Sequence, residues 1–172
     1  MSSRISMNGD RKEDKKSLAT GVKSIIKTLQ THPDPVSRGH AAIALGKIHD
    51  DSAILALVRA LHDPAKDVRA AAAAGLASVG RPAIGALTEA LADGNWTARY
   101  RAAEALGSIR DERSITALIH ALEDERDHVR YIAAKGLGRL GDRRAAGPLS
   151  AALADGNEFV RRAARDALAS LG

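Results

Sequence analysis

The sequence predicts an all-α fold, a right-handed α-α superhelix (solenoid) of five two-helix repeats. Three observations predict it. Five segments align around an arginine, Arg38, Arg69, Arg99, Arg130 and Arg161, spaced 31, 30, 31 and 31 residues apart. A leucine follows each by seven residues, at Leu45, Leu76, Leu106, Leu137 and Leu168. Out of phase with them runs a second apolar series at spacings of three and four, the pattern of a one-faced helix.

Residues 1–16 are polar and of mixed charge, and read as a disordered tail. The solenoid takes up 17–172, in repeats of about 17–49, 50–80, 81–110, 111–141 and 142–172. Each repeat opens with an outer helix, carried in order by Val22, Ile25, Ile26 and Leu29, by Ile54, Leu57, Val58 and Leu61, by Ile84, Leu87 and Leu91, by Ile115, Leu118, Ile119 and Leu122, and by Ala146, Leu149 and Leu153. An inner helix around the repeat arginine closes it. Asp50, Asp51, Asp111 and Asp142 stand where outer helices need N-caps. Pro82 suits the first turn of an outer helix, and Pro35 and Pro64 stand where inner helices begin. Gly80, Gly141 and Gly172 follow inner helices, where a left-handed cap is expected. Repeat two is one residue short, and the loss falls in the turn at 79–84. No two-helix unit buries its own apolar face, so neighbours must stack, and a monomer is expected.

Hydrophobic residues make up 45% of the 172 residues but aromatics only 2%, so the core must be made of small side chains on closely approaching helices. There is no cysteine, which excludes disulfides, a thiolate nucleophile and sulfur-ligated zinc. The six histidines form no His-x-x-x-His pair and no His-Glu dipeptide, so neither a metal nor another cofactor is expected. The N-terminus has no apolar stretch for a signal peptide and no run spans a bilayer, so a cytoplasmic protein without membrane contact is expected. The net charge of +5 invites a nucleic-acid reading. Its distribution weakens that reading: residues 1–31 hold 7 Lys/Arg against 3 Asp/Glu, the remainder 19 against 18.

Residues 136–141, Gly-Leu-Gly-Arg-Leu-Gly, match a dinucleotide-binding fingerprint by letter. That motif works between a strand and a helix N-terminus, whereas here it closes a helix. The acidic run 123–127 reads as a solvated turn. No serine or threonine has a recognisable base partner. The sequence therefore points to a protein that is not an enzyme.

The repeat segments resemble HEAT-like repeats of the phycobilisome-lyase type. The family pattern sets an aspartate six residues before the arginine, then Ala-Ala, Ala-Leu-Gly and Ile-Gly-Asp. Asp63/Arg69, Asp93/Arg99, Asp124/Arg130 and Asp155/Arg161 reproduce that offset over roughly residues 18–172. The first repeat departs from it, with His32 at the aspartate position and Asp34 nearby. The resemblance implies that inner helices line a concave side. It also casts Arg38, Arg69, Arg99, Arg130, Arg161 and their aspartates as a structural ladder tying turns to neighbouring helices. For function it is unspecific, since such repeats occur in scaffolds, bilin lyases and, more remotely, DNA glycosylases and a di-iron hydroxylase.

Counted from the repeat arginine, positions −3, −2, +1, +2, +5 and +9 of the inner helices are expected to be exposed. Trp96, Tyr100, Tyr131 and Phe159, every aromatic residue of the chain, fall on them in repeats three to five. None serves the predicted core. With Arg101, His128, Ile132, Lys135 and Arg162 they form the candidate partner-binding face, with Glu104 and Asp166 beside them. The bland reading is that some rings only cover seams between repeats. Replacing both tyrosines by alanine is expected to leave the melting temperature almost unchanged. The expected partner is a protein or peptide, with the basic tail adding a salt-sensitive contact. A nucleic-acid binder and a bilin lyase-like chaperone subunit are the alternatives.

Overall fold

The computed structural model describes residues 6–171, with side chains from residue 19 onward; Met1 to Ile5, and Gly172 with its expected cap, lie outside the described residues. Ten α-helices follow in pairs: α1 Ser6–Thr31 and α2 Pro35–Leu45, α3 Asp51–Arg59 and α4 Lys66–Val79, α5 Ile84–Ala90 and α6 Trp96–Ile109, α7 Ile115–Ala121 and α8 Asp127–Leu140, α9 Ala146–Ala152 and α10 Glu158–Ser170. Five pairs is the number of two-helix repeats expected. The tail is the exception. α1 takes in residues 6–16, set apart as disordered on composition. That stretch contains no proline, and each residue added to an existing helix end gains a backbone hydrogen bond without the cost of a new nucleus.

Capping follows the sequence closely. Asp50 accepts from the backbone N–H of Ser52, Asp111 from that of Arg113, and Asp142 from that of Arg144. Asp34 caps α2, with Pro35 in the first turn. Gly141 closes α8 in the left-handed region, at φ 66°. The equivalent place after α6 is taken by Arg110 at φ 55°, a conformation rare for a residue with a Cβ.

The core is a continuous row of aliphatic side chains. Leu45, Leu76, Leu106 and Leu137 of the inner helices and Leu57, Leu61, Leu87, Leu118 and Leu149 of the outer helices are fully buried. Each contributes roughly 2 kcal/mol of burial free energy. Inner helices pack on one another along the whole row, α2 on α4, α4 on α6, α6 on α8 and α8 on α10. Glycine lets two of these pairs nearly touch: a Cβ on Gly107 of α6 would lie 2.6 Å from Cα of Gly136 in α8, and Gly46, just after α2, meets Gly75 of α4 in the same way. The inner side is therefore the closely spaced side of the row, helix on helix from repeat to repeat.

The ladder is present, with a wiring the sequence did not reveal. Within a repeat the arginine meets not the carboxylate six residues back but the backbone carbonyl there. Arg69 donates to Asp63 O at 2.7 Å, Arg99 to Asp93 O at 2.8 Å, Arg130 to Asp124 O at 2.8 Å and Arg161 to Asp155 O at 2.6 Å. The carboxylate belongs to the arginine of the preceding repeat. Nε of Arg38, Arg99 and Arg130 donates to Oδ2 of Asp63, Asp124 and Asp155, each at 2.7 Å. Nη2 donates to the matching Oδ1 at 2.9 Å in all three. Each aspartate also accepts the N–H two residues on, that of Ala65, Arg126 or Asn157. One guanidinium thus ties its own helix entry to the turn of the next repeat.

One rung is missing. Paired arginines and aspartates lie 25 residues apart, whereas the short turn leaves 24 between Arg69 and Asp93. Gly80, at φ 75° and ψ −136°, does alone what Arg110–Asp111 and Gly141–Asp142 do elsewhere, ending one helix and opening the next turn. Asp93 is met instead by Nε2 of His62 at 2.9 Å, and among the described residues Nε of Arg69 is buried without a partner. The same junction lacks the glycine contact altogether, having Ala77 and Ala105 where the others have Gly46 and Gly75, Gly107 and Gly136, or Gly138 and Ala167.

Two outcomes follow from this wiring. Arg130→Ala removes a complete rung and leaves the largely buried Asp155 carboxylate without its hydrogen-bonded cation, with Arg161 nearby only through the Asp155 carbonyl, so it should cost roughly 2–3 kcal/mol in a denaturant titration. Arg69→Ala removes only carbonyl contacts and should cost clearly less. The second outcome concerns acid. The Arg38 guanidinium holds the Asp63 carboxyl below the usual aspartate range, and Arg130 does the same for Asp155. At Asp124 burial pushes upward, but the hydrogen bonds from Arg99 and from the Arg126 N–H outweigh it and the net shift is downward. Depressed carboxyl values mean that the rungs contribute their full stability above the unfolded aspartate value of about 3.9, and lose it as pH falls through the folded values. Thermal melts should therefore show no rung-derived change between pH 5 and 8 and a fall below about pH 4. Asp155→Asn should blunt that fall.

Candidate functional site

The rings expected on the inner face lie on α6, α8 and α10, in three different environments. Trp96 opens α6 half-buried, its ring centroid 5.4 Å from that of His128 and with the Arg126 guanidinium 6.0 Å above it. Tyr100 and Tyr131, one repeat apart, are half-buried and pack against the core row. Burial is the main cause that pushes the Tyr100 hydroxyl above its ordinary value. Arg101 sits 5.3 Å from the Tyr100 ring centroid, and Lys135 sits 5.3 Å from that of Tyr131. Phe159, in the first turn of α10, is 61% exposed.

Three expectations are corrected here. Ile132 is 4% exposed and belongs to the core. It lies one turn before Gly136, on the side of α8 that meets α6, so its position faces the seam instead of the groove. The two tyrosines do not stand apart from the core: both are half-buried and pack against it. Arg101 is exposed only in part and is held by Glu104 at 2.6 Å, so it is not a free cation. Lys135, His128 and Arg162 are exposed as expected.

Between α8 and α10 the face opens into a groove of about 560 Å³ lined by Tyr131, Lys135, Arg139, Phe159, Arg162 and Asp166, among others. Across Tyr131 and Phe159 lies a second hollow of about 340 Å³, bounded also by Asp127, His128 and Asn157. Asp127 binds His128 Nδ1 at 2.7 Å and accepts from the Asn157 amide. The hydrogen bond from His128 leads the causes that hold the Asp127 carboxyl below its usual range. Asn157 was missed by pattern reading. It N-caps α10 through the N–H groups of Phe159 and Val160, and its 30-residue distance from Asp127 was the available signal. Among the described residues no three His, Cys, Asp or Glu side chains converge as metal ligands. No single described helix is long and apolar enough to cross a membrane.

A family model described as HEAT repeats matches residues 22–95 and 84–169. Comparison with curated protein sequences returns no match. Among solved structures, the complex of CpcE and CpcF of phycocyanin lyase from Nostoc sp. PCC7120 is similar at 26% identity and a TM-score of 0.64, covering 87% of this chain. The chain spans 64% of the length of that lyase chain, less than two thirds of it. Human deoxyhypusine hydroxylase is similar at 21% identity and a TM-score of 0.54, with 89% of this chain and 74% of that one covered. A designed armadillo repeat protein in complex with the peptide (KR)4 is similar at 17% identity and 0.56, with 92% and 85% covered. The last two likenesses concern the fold alone.

The split between ring environments sets an expectation for stability. Tyr131→Ala opens a partly buried seam and should cost roughly 1–3 kcal/mol in a denaturant titration. Phe159→Ala should stay within about 0.5 kcal/mol of the parent.

Proposed function

This chain belongs to the HEAT-repeat family, and from that premise we propose that it is a protein-interaction module without catalytic activity, docking a partner protein or peptide on its inner face over repeats three to five. One observation carries the reading. Phe159, an aromatic side chain that contributes nothing to the core, stands 61% exposed on the rim shared by the two hollows of that face. Exposed rings beside arginines are the residues that dominate binding energy at protein interfaces, and solenoids bind along their concave surfaces. The neighbouring Tyr131 is anchored by its packing against the core, so its exposed part is preorganised and loses little entropy on contact.

A second reading, a subunit of a chromophore lyase, is supported by the likeness to the CpcE–CpcF complex. Under it the partner is a phycobiliprotein or another helical-repeat chain.

Photo-crosslinking tests this. A benzoylphenylalanine placed at Phe159 should capture a defined partner in the producing cell. The same group at Leu55, which is 55% exposed on outer helix α3, should not. Capture from Leu55 alone would put the interface on the other side of the solenoid and defeat the proposal.

A further inference from the structure

We infer that the groove between α8 and α10 takes an acidic peptide segment, whose carboxylates meet Lys135, Arg139 and Arg162 while an apolar side chain packs on Phe159 and Tyr131. The inference rests on the inner-face reading above and adds the chemistry of the occupant.

Charge pairing carries it. Among the described residues outside the groove Arg59, Arg69 and Arg110 also stand singly without an ion pair, but the other arginines on neighbouring turns and helices are committed: Arg38, Arg99 and Arg130 to the ladder, Arg101 to Glu104, and Arg81 to Asp111 at 2.9 Å. In the groove they are not. Among the described residues Lys135, Arg139, Arg162 and Arg165 form no ion pair within 4.0 Å. Lys135 lies against the Tyr131 ring, and the contact of Arg139 is a 3.5 Å approach to Ser108 Oγ. Asp166 is the lone carboxylate lining the groove, against three cations. The surface then continues round Phe159 and Arg162 to Arg161 and Arg165, with Glu158 opposite. Three uncommitted cations converging on a concave wall give a positive potential that favours a carboxylate-bearing ligand.

The same map disfavours nucleic acid. Asp127, Glu158 and Asp166 stand on this face within reach of the same rings, and a backbone with a phosphate at every unit would meet them as well. A peptide places its charges selectively. In an extended strand, alternate side chains lie about 7 Å apart on one side, so carboxylates can face the cations while uncharged residues pass Asp127 and Asn157.

The test uses the full chain and three dye-labelled nonapeptides, Glu alternating with Leu and its Gln and Lys counterparts, followed by fluorescence anisotropy. The Glu peptide should bind roughly tenfold tighter than the Gln peptide, the combined effect of a few partly exposed charge pairs, and the Lys peptide weaker still. The K135E/R162E double variant, checked for folding by circular dichroism, should reverse that order. Phe159→Ala should weaken every peptide while keeping the order. Equal affinities, preference for the Lys peptide, no binding by any of the three, or tighter binding of a single-stranded oligonucleotide of equal charge would overturn the inference. Binding that is blind to charge yet lost in Phe159→Ala removes the acidic occupant and leaves the inner-face reading standing. Crosslinks from Leu55 alone remove the inner-face reading whatever the peptides do.

Discussion

The geometry of this solenoid turns on one repeated contact, the fork of an arginine closing on the aspartate of the next repeat. Two parallel N–H···O bonds fix both distance and angle between a helix entry and the following turn, as a single point charge would not. A third donor holds the arginine to its own turn. Partly buried pairs of this kind add little net stability over a well-packed apolar contact, because desolvation offsets their attraction. Their contribution is register. A row of leucines and alanines is smooth enough for neighbouring helices to slide, and the fork allows one setting. The glycine contacts require that same setting, since Gly107 and Gly136 approach only when α6 and α8 are aligned.

Much of this was legible in the letters. Helix pairing, the caps at Asp50, Asp111 and Asp142, and the short turn at Gly80 all follow from local rules that act within one turn of chain. The ladder residues were legible as a series but not as partners. Sequence shows the offset of six, which is a carbonyl contact. The offset of 25, which is the ion pair, exists only once the superhelical step is known. The helix over residues 6–16 was hidden for a different reason, since composition measures whether a segment can bury a face and not whether it can lengthen a helix already formed.

The face was legible in part. Assigning each inner-helix position to core or solvent assumes a free-standing helix, yet α6 and α8 each have an inner helix on both sides. That flank hides Ile132 and half of each tyrosine ring. Phe159 escaped the error because it lies in the first turn of α10, beyond the seam with α8. Arg101 was placed on the face by its position alone, which does not show its pairing with Glu104. The uncommitted cations were visible only when their neighbours' partners were known.

The junction between repeats two and three combines three irregularities: a 24-residue step, a histidine in place of the arginine, and alanines in place of glycines. In a molecule whose parts communicate only with immediate neighbours, cooperativity is a product of nearest-neighbour couplings, and the weakest one decides where the structure divides. By that rule the division falls between α4 and α5, with α1 to α4 on one side and α5 to α10 on the other. Every ring of the candidate face lies in the second. Fluctuations that open the amino-terminal half can pass without disturbing the candidate face in the other.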